Sequence, residues 1–396
     1  MNVAARPWFL LAALFAPLGV VAPKALVPLL FIAAIWRFGQ GWRDGQWRRP
    51  FQGSNAVLAG AIAVWALLSC LWALDGAAAL TTFAKLAAVL LATLVMLDGA
   101  RRLEAEDSKF LFRVLAGTFV LAAILLGFET LSGAAGHEWL VWRGRRAEFD
   151  LTVLNRAGVL LLLAAWPVAL VLWRRGHGVL AGLAIVATLA VVLLGVSSAN
   201  QAAAVVGLAG AVAAWFLGRR FSRLLAFVLA VGVLAAPVLP TTLLAPKDIA
   251  RHFDAAHYSG LHRLYIWHFT ARRIAEAPVM GWGLDGARRI PGGDTKLPGG
   301  GNVMSMHPHN ASLQIWLELG AVGALLAALL VAGLCRRAAA LPHRADRAAA
   351  TGLLLSALTV TNLSFGIWQT WWLAALGLAG IVFTLALRLN GNTKAR

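Results

Sequence analysis

The chain is 396 residues long, 60% hydrophobic and only 13% charged, with a mean hydropathy of +0.75. These values exclude a disordered chain, a disulfide scaffold and an ordinary soluble enzyme, because the apolar residues come in long unbroken blocks. The formal charge of +18 has meaning only through its placement, and the composition reads as an all-α polytopic membrane protein.

Apolar blocks of roughly spanning length lie at about 8–22, 25–38, 55–74, 78–97, 110–131, 151–173, 178–198, 201–217, 222–240, 311–335, 348–364 and 368–388. They predict about twelve transmembrane helices. The second block is the weakest, since only 25–36 is strongly apolar. The first reads as a retained anchor, because Pro23-Lys24 leads straight into another apolar block. Three regions follow: spans one to nine with short loops over 1–240, a large loop over 241–310, and the last three spans with a tail over 311–396. Cys70 and Cys335 fall near opposite ends of different blocks, so neither a mutual disulfide nor a metal-ligand spacing is expected.

Basic residues orient the spans. With the N-terminus in the cytoplasm, the inward segments hold twenty Lys and Arg, whereas the short outward loops hold four: Lys24, Arg143, Arg145 and Arg146. Charge bias in short loops sets topology, so both termini are expected to be cytoplasmic. The same bias accounts for most of the basic character and argues against nucleic acid as a partner.

Four ionisable residues, Lys85, Arg113, Arg156 and Glu318, sit within apolar blocks. A charge at mid-membrane costs about 2.5–3.5 kcal/mol on insertion scales, so each is a candidate for function. Lys85 lies roughly 10 Å, and Arg156 roughly 8 Å, below the outward face at 1.5 Å per residue. They read either as snorkelling side chains or as a cationic pocket for an anionic lipid head group, with Glu318 able to offset part of the charge. Arg113, near the inward end of its span, reads as snorkelling.

The loop at 241–310 carries six of the nine histidines and eight basic residues. A connection that long is usually functional. Leu261, Leu264, Ile266, Trp267, Phe269 and Ile274 have helical spacing, ended by Ala277-Pro278. Arg263 and Trp267 share a face of that helix, which could rest on the membrane surface or present Arg263 as a planar fork to a phosphate. The run 281–286 spells GxGxxG, but a helix and a proline precede it rather than a strand, so it reads as a turn. Glycine-rich 291–301 predicts a mobile lid or disordered segment. In Met306-His307-Pro308-His309-Asn310 the two histidines lack a third ligand type nearby, so no metal is expected. His309 adjoins the start of span ten, and an imidazole with an ordinary pKa of about 6.5 suits general-base work.

The stretch HPHNASLQIWLELG at 307–320, together with Arg263, Trp267 and the APVMGWG run at 277–283 upstream, resembles the O-antigen ligase and polymerase superfamily of bacterial envelope glycosyltransferases. The resemblance implies a C-type glycosyltransferase-like fold in the bacterial inner membrane. It also implies transfer of a glycan from undecaprenyl diphosphate to lipid A–core oligosaccharide at the periplasmic face, without metal or other cofactor. By matching position, His309 would be the essential histidine and Arg263 the loop arginine. Members often carry a Ser-Arg pair where spans seven and eight meet; this chain has Ser197-Ser198-Ala199-Asn200-Gln201 there. Arg156, Lys85 or the Arg143, Arg145 and Arg146 cluster would then take the phosphate role, with His307 and Asn310 as further substrate contacts. A polymerase with the same chemistry is the alternative, and a transporter or flippase of lipid-linked oligosaccharide is the rival of another class.

Overall fold

The computed structural model describes residues 5–43, 53–103, 105–141, 151–242, 258–297, 301–304 and 306–388. Arg143, Arg145, Arg146, His252 and His257 lie outside them. The described residues are almost entirely helical, with no strand beyond an isolated bridge between Lys296 and Asn302. In chain order the helices are α1 (Arg6–Val21), α2 (Leu26–Arg43), α3 (Ser54–Ser69), α4 (Gly76–Ala100), α5 (Ala105–Leu131), α6 (Ala135–Val141) and α7 (Asn155–Arg174). There follow α8 (Gly178–Leu194), α9 (Ser198–Leu234), α10 (Val238–Thr242), α11 (Tyr258–Glu276), α12 (Ala311–Ala340), α13 (Arg344–Leu363) and α14 (Thr370–Arg388). Helices are the expected outcome for apolar segments whose backbone groups cannot bond to lipid.

Every apolar block read from the sequence falls on a helix. The blocks at 201–217 and 222–240 fall on the two arms of α9, which is broken at Gly218. Among the described residues seven helices are long and apolar enough to cross a membrane, and α1, α3 and α8 are shorter apolar helices. Side-chain caps mark several starts: Asp75 accepts from the Ala78 N–H at 2.9 Å, and Asn310 accepts from the Leu313 N–H at 3.0 Å.

Burial ranks the helices. In Leu151–Arg174, which contains α7, 78% of the apolar stretch is buried, against 17% in α4. α7 is therefore the axis, with α1, α5, α8, α13 and α14 packed around it. Trp8, Phe15, Leu162, Leu163 and Trp372 fill the core there. A second grouping joins α9 to α12 and α13. Small residues permit that approach: a Cβ on Gly210 would stand 2.0 Å from Leu355, and one on Gly207 2.1 Å from Ser356 Oγ.

One helix break positions everything that follows. α12 is interrupted at Gly320, whose φ of 63° and ψ of −163° only glycine adopts readily. In an unbroken helix the Ala321 N–H would bond to the Leu317 carbonyl. It donates instead to Pro278 O at 2.9 Å, while the Leu317 carbonyl accepts from the Trp282 N–H at 2.8 Å. The Glu318 carbonyl accepts from Gly283 N–H at 2.9 Å, and that of Leu319 from Trp65 Nε1–H at 2.9 Å. The APVMGWG run is thus a wedge bonded into the break, and 281–286 is a turn, as its sequence context predicts.

Replacing Gly320 with Ala would set a Cβ 2.1 Å from the Val279 carbonyl oxygen, in a backbone region that costs about 1–3 kcal/mol for other residues. The expected result is a clear fall in melting temperature of the detergent-purified protein. Gly117→Ala in α5, where a Cβ meets open space, serves as the comparison and should leave that temperature unchanged or slightly raised. Equal melting temperatures for Gly320→Ala and wild type would mean the break is not what anchors the loop.

Candidate active site

Residues from four segments converge at one end of the bundle: α11, the 307–310 stretch before α12, the turn from α13 to α14, and the 278–290 loop. Trp267 on α11 donates through Nε1 to the Pro308 carbonyl at 2.9 Å. That bond ties the helix carrying Arg263 to the histidine pair. His307 is 7% exposed, and its ring lies against Gly366, where a Cβ would come within 2.9 Å of it. The two imidazoles sit with centroids 4.3 Å apart.

His309 adopts a left-handed backbone with φ of 53°, uncommon for a residue with a side chain and frequent at functional sites. Two hydrogen bonds hold it there. Its N–H donates to His307 Nδ1 at 3.2 Å, and its own Nδ1 lies 2.6 Å from the Ser364 carbonyl. A carbonyl can only accept, so Nδ1 carries the proton and Nε2 keeps the lone pair. No described residue hydrogen-bonds to that Nε2.

The electrostatics keep this ring neutral. Burial lowers the pKa of His309 below the ordinary imidazole value; the Ser364 carbonyl opposes this, and electrostatic repulsion from the neighbouring Arg263 and His262 lowers it further. His307 is pushed down to about 3, first by burial and then by His309 and Arg288. Arg263 is also partly desolvated, which lowers its pKa, but a guanidinium remains charged at any physiological pH. The arrangement is a neutral base with a free lone pair close to a permanent cation.

Arg156 reaches the same cluster from the first turn of α7. Its guanidinium lies over the Trp371 ring, 5.4 Å from the centroid. Trp371 donates to Gln369 Oε1 at 2.8 Å, and the Gln369 amide nitrogen lies 3.2 Å from His307 Nε2. Lys85 lines a cavity of about 350 Å³ with Lys24, Asp285, Arg288, Gln369 and Trp371. The Asn310 side-chain oxygen is engaged as the cap of α12. Arg143, Arg145 and Arg146 are outside the described residues.

Glu318 is fully buried but is not a counter-ion to Lys85 or Arg156. Its Oε2 accepts from the Asp285 N–H and from Trp368 Nε1–H, both at 2.6 Å; its Oε1 accepts from the Gln314 amide at 3.0 Å and from the Ala287 N–H at 3.4 Å. The buried acid is a clamp joining the loop to the α13–α14 turn. The cavity's carboxylate is instead Asp285, which accepts from Arg288 Nε–H at 2.9 Å and Thr82 Oγ1–H at 3.3 Å. Among the described residues no group of three or more His, Cys, Asp or Glu side chains could hold a metal ion.

Sequence reasoning missed Ser364, which acts through its backbone and so leaves no trace in residue type. It also passed over Gln369, the one amide side chain in the aromatic run FGIWQTWW at 365–372.

Residues 191–328, which include Arg263, both histidines and Glu318, match the family model described as O-antigen ligase. The chain is 28% identical over 323 residues to a protein of Rickettsia conorii, covering 78% of this chain and 74% of that one. It is 28% identical over 333 residues to one of Rickettsia prowazekii, covering 82% and 78%. Both bear the provisional name polysaccharide ligase. The resemblance carried by 263–283 and 307–320 is therefore upheld, since both stretches fall within the residues that match the O-antigen ligase family model.

Proposed function

We propose that the protein is an O-antigen ligase of the inner membrane, transferring a glycan from undecaprenyl diphosphate to lipid A–core oligosaccharide at the periplasmic face. In this reading the chain spans the membrane about twelve times, with both termini cytoplasmic and 241–310 outside. The observation that carries the proposal is His309: left-handed, with Nδ1–H held by Ser364 and Nε2 bare, in the field of Arg263.

The chemistry follows from those positions. Nε2 takes the proton from the acceptor hydroxyl as its oxygen attacks the anomeric carbon. The bond from that carbon to the diphosphate oxygen breaks, and the departing undecaprenyl diphosphate carries the negative charge. Arg263 and Arg156 stabilise that charge, supported by Lys85 and by Arg143, Arg145 and Arg146. His307 and Asn310 hold the segment that presents the base. A single displacement with one base inverts the anomeric carbon, and no metal is required. The ligase names of the relatives and the matching family domain support the reaction class.

His309→Ala should lower transfer at least about a hundredfold, the usual worth of a general base, and Arg263→Ala by a comparable factor. Both proteins should accumulate normally in the membrane. A gel of lipopolysaccharide from a strain relying on either variant should show uncapped core with lipid-linked glycan still present. Wild-type capping would remove the assigned roles, and core bearing a single repeat would identify a polymerase.

Because folding lowers the His309 pKa, the base is already unprotonated at neutrality. Activity should therefore fall only as the pH drops below the ordinary imidazole value. Arg263→Gln removes a repulsive charge, so the His309 ring should titrate at higher pH than in wild type when followed by NMR of labelled histidine. An unmoved titration would separate Arg263 from the base.

A further inference from the structure

Of the four ionisable residues within apolar blocks, only Arg113 has no part in the site just described. It meets Arg175, the residue that follows α7. The length of that helix separates Arg175 from Arg156, roughly 28 Å at 1.5 Å per residue, so the two arginines belong to the other end of the bundle. The Arg175 guanidinium lies over the Phe112 ring, 5.7 Å from its centroid. Phe112 is buried in the core and so is a fixed platform. The backbone is fixed as well, because α7 ends in a glycine cap: Gly176 has a φ of 83°, and the His177 N–H donates to the Leu172 carbonyl at 2.9 Å.

Both arginines are exposed, and neither makes an ion pair with any described residue. Burial, and then the charge of Arg113, lower the Arg175 pKa. Asp346 offers no relief: it is buried and engaged by Arg174, which also donates to the Ala386 and Leu387 carbonyls. Snorkelling accounts for one arginine near a membrane surface, and a helix C-terminus favours another. Neither effect accounts for two guanidiniums held together against their repulsion with no acid between them. Stacking on Phe112 occupies the face of the Arg175 guanidinium and leaves its in-plane N–H groups for an anion. Trp173, 48% exposed, stands two residues away and meets Trp215 edge-on at 5.1 Å. Exposed indoles of membrane helices sit at the level of lipid head groups, so the arginine pair lies at the depth of lipid phosphates.

We propose that the adjoining ends of α5 and α7 bind an anionic phospholipid, its phosphodiester held between Arg113 and Arg175. Basic pockets between membrane helices are suited to such head groups. In the orientation proposed above this is a lipid of the cytoplasmic leaflet; the leaflet rests on that reading, whereas the binding does not. The lipid takes no part in glycan transfer. It cancels the repulsion between the two arginines and joins the ends of α5 and α7.

The test is native mass spectrometry of the full-length protein in a neutral detergent, with phosphatidylglycerol or phosphatidylcholine added. In phosphatidylcholine the choline charge offsets that of the phosphate, so wild type should prefer phosphatidylglycerol. Arg113→Gln/Arg175→Gln should weaken phosphatidylglycerol binding about tenfold or more, as expected for loss of charged hydrogen bonds, and leave phosphatidylcholine binding unchanged. Arg113→Lys/Arg175→Lys keeps both charges and should retain the preference, which separates loss of the site from loss of the fold. Arg219→Gln/Arg220→Gln removes two exposed arginines beside the Gly218 break and should bind phosphatidylglycerol within about threefold of wild type. Wild-type affinity in the Arg113→Gln/Arg175→Gln protein would overturn the site. An equal loss in the Arg219→Gln/Arg220→Gln protein would do the same, by reducing it to diffuse attraction. Displacement of the lipid by an equal concentration of inorganic phosphate would overturn the lipid as ligand. No turnover is measured, so failure of the ligase reading would leave every one of these results in place.

Discussion

The hydrogen-bond exchange at Gly320 is the constraint on which the rest of the molecule depends. A helix broken inside an apolar bundle leaves N–H and C=O groups that lipid cannot satisfy. Here the 278–283 run supplies the missing partners, and a side chain two residues before the break, Glu318, collects two backbone N–H groups, an indole and an amide. The loop is thereby fixed to α12 at the same depth as the α13–α14 turn. Since that turn also provides the Ser364 carbonyl and Gln369, the groups that orient the histidines inherit their positions from the break. A polar network this deep is stable only when all its members are paired, and Glu318 is paired on both oxygens.

The site asks two things of its cations that pull in one direction. Guanidinium and ammonium groups are needed to meet phosphate, and the same charges raise the cost of protonating a nearby imidazole. Burial adds to that cost, while the Ser364 carbonyl limits it. The outcome is a histidine that stays neutral while its tautomer is dictated by one backbone oxygen. His307 goes much further, to about 3, and so remains an uncharged spacer whose Nδ1 accepts the N–H of the residue that matters.

Much of this was legible in the residues, and the illegible part has a physical cause. The twelve apolar blocks report on helices because a long run without charges has few other stable outcomes. Arg263 and Trp267 stand one helical turn apart, and the structure uses that spacing: the indole bonds Pro308 while the guanidinium acts on His309. Glu318 misled because an intramembrane acid in a basic neighbourhood suggests an ion pair, and residue type does not record that backbone N–H groups take both its oxygens. Ser364 was invisible for the same reason. Lys24 seemed a plain loop residue because its distance from Lys85 along the chain hides that the starts of α2 and α4 border one cavity.

Under the proposed chemistry, the electrostatics of the empty site also dictate what a substrate does on arrival. A diphosphate that pairs with Arg263 cancels the repulsion that helps hold the His309 pKa down, while the bond to Ser364 persists and continues to favour the protonated ring. The base therefore grows stronger when the donor binds, as the leaving group is placed to depart. Before binding, the weaker base has little tendency to take a proton from solvent and lose its lone pair. By linkage the reverse holds as well: protonating His309 in the empty site adds a positive charge beside Arg263 and so strengthens the hold on an anion. Two neighbouring charges and one carbonyl are enough to couple occupancy of the phosphate site to readiness of the base, with no movement of the fold.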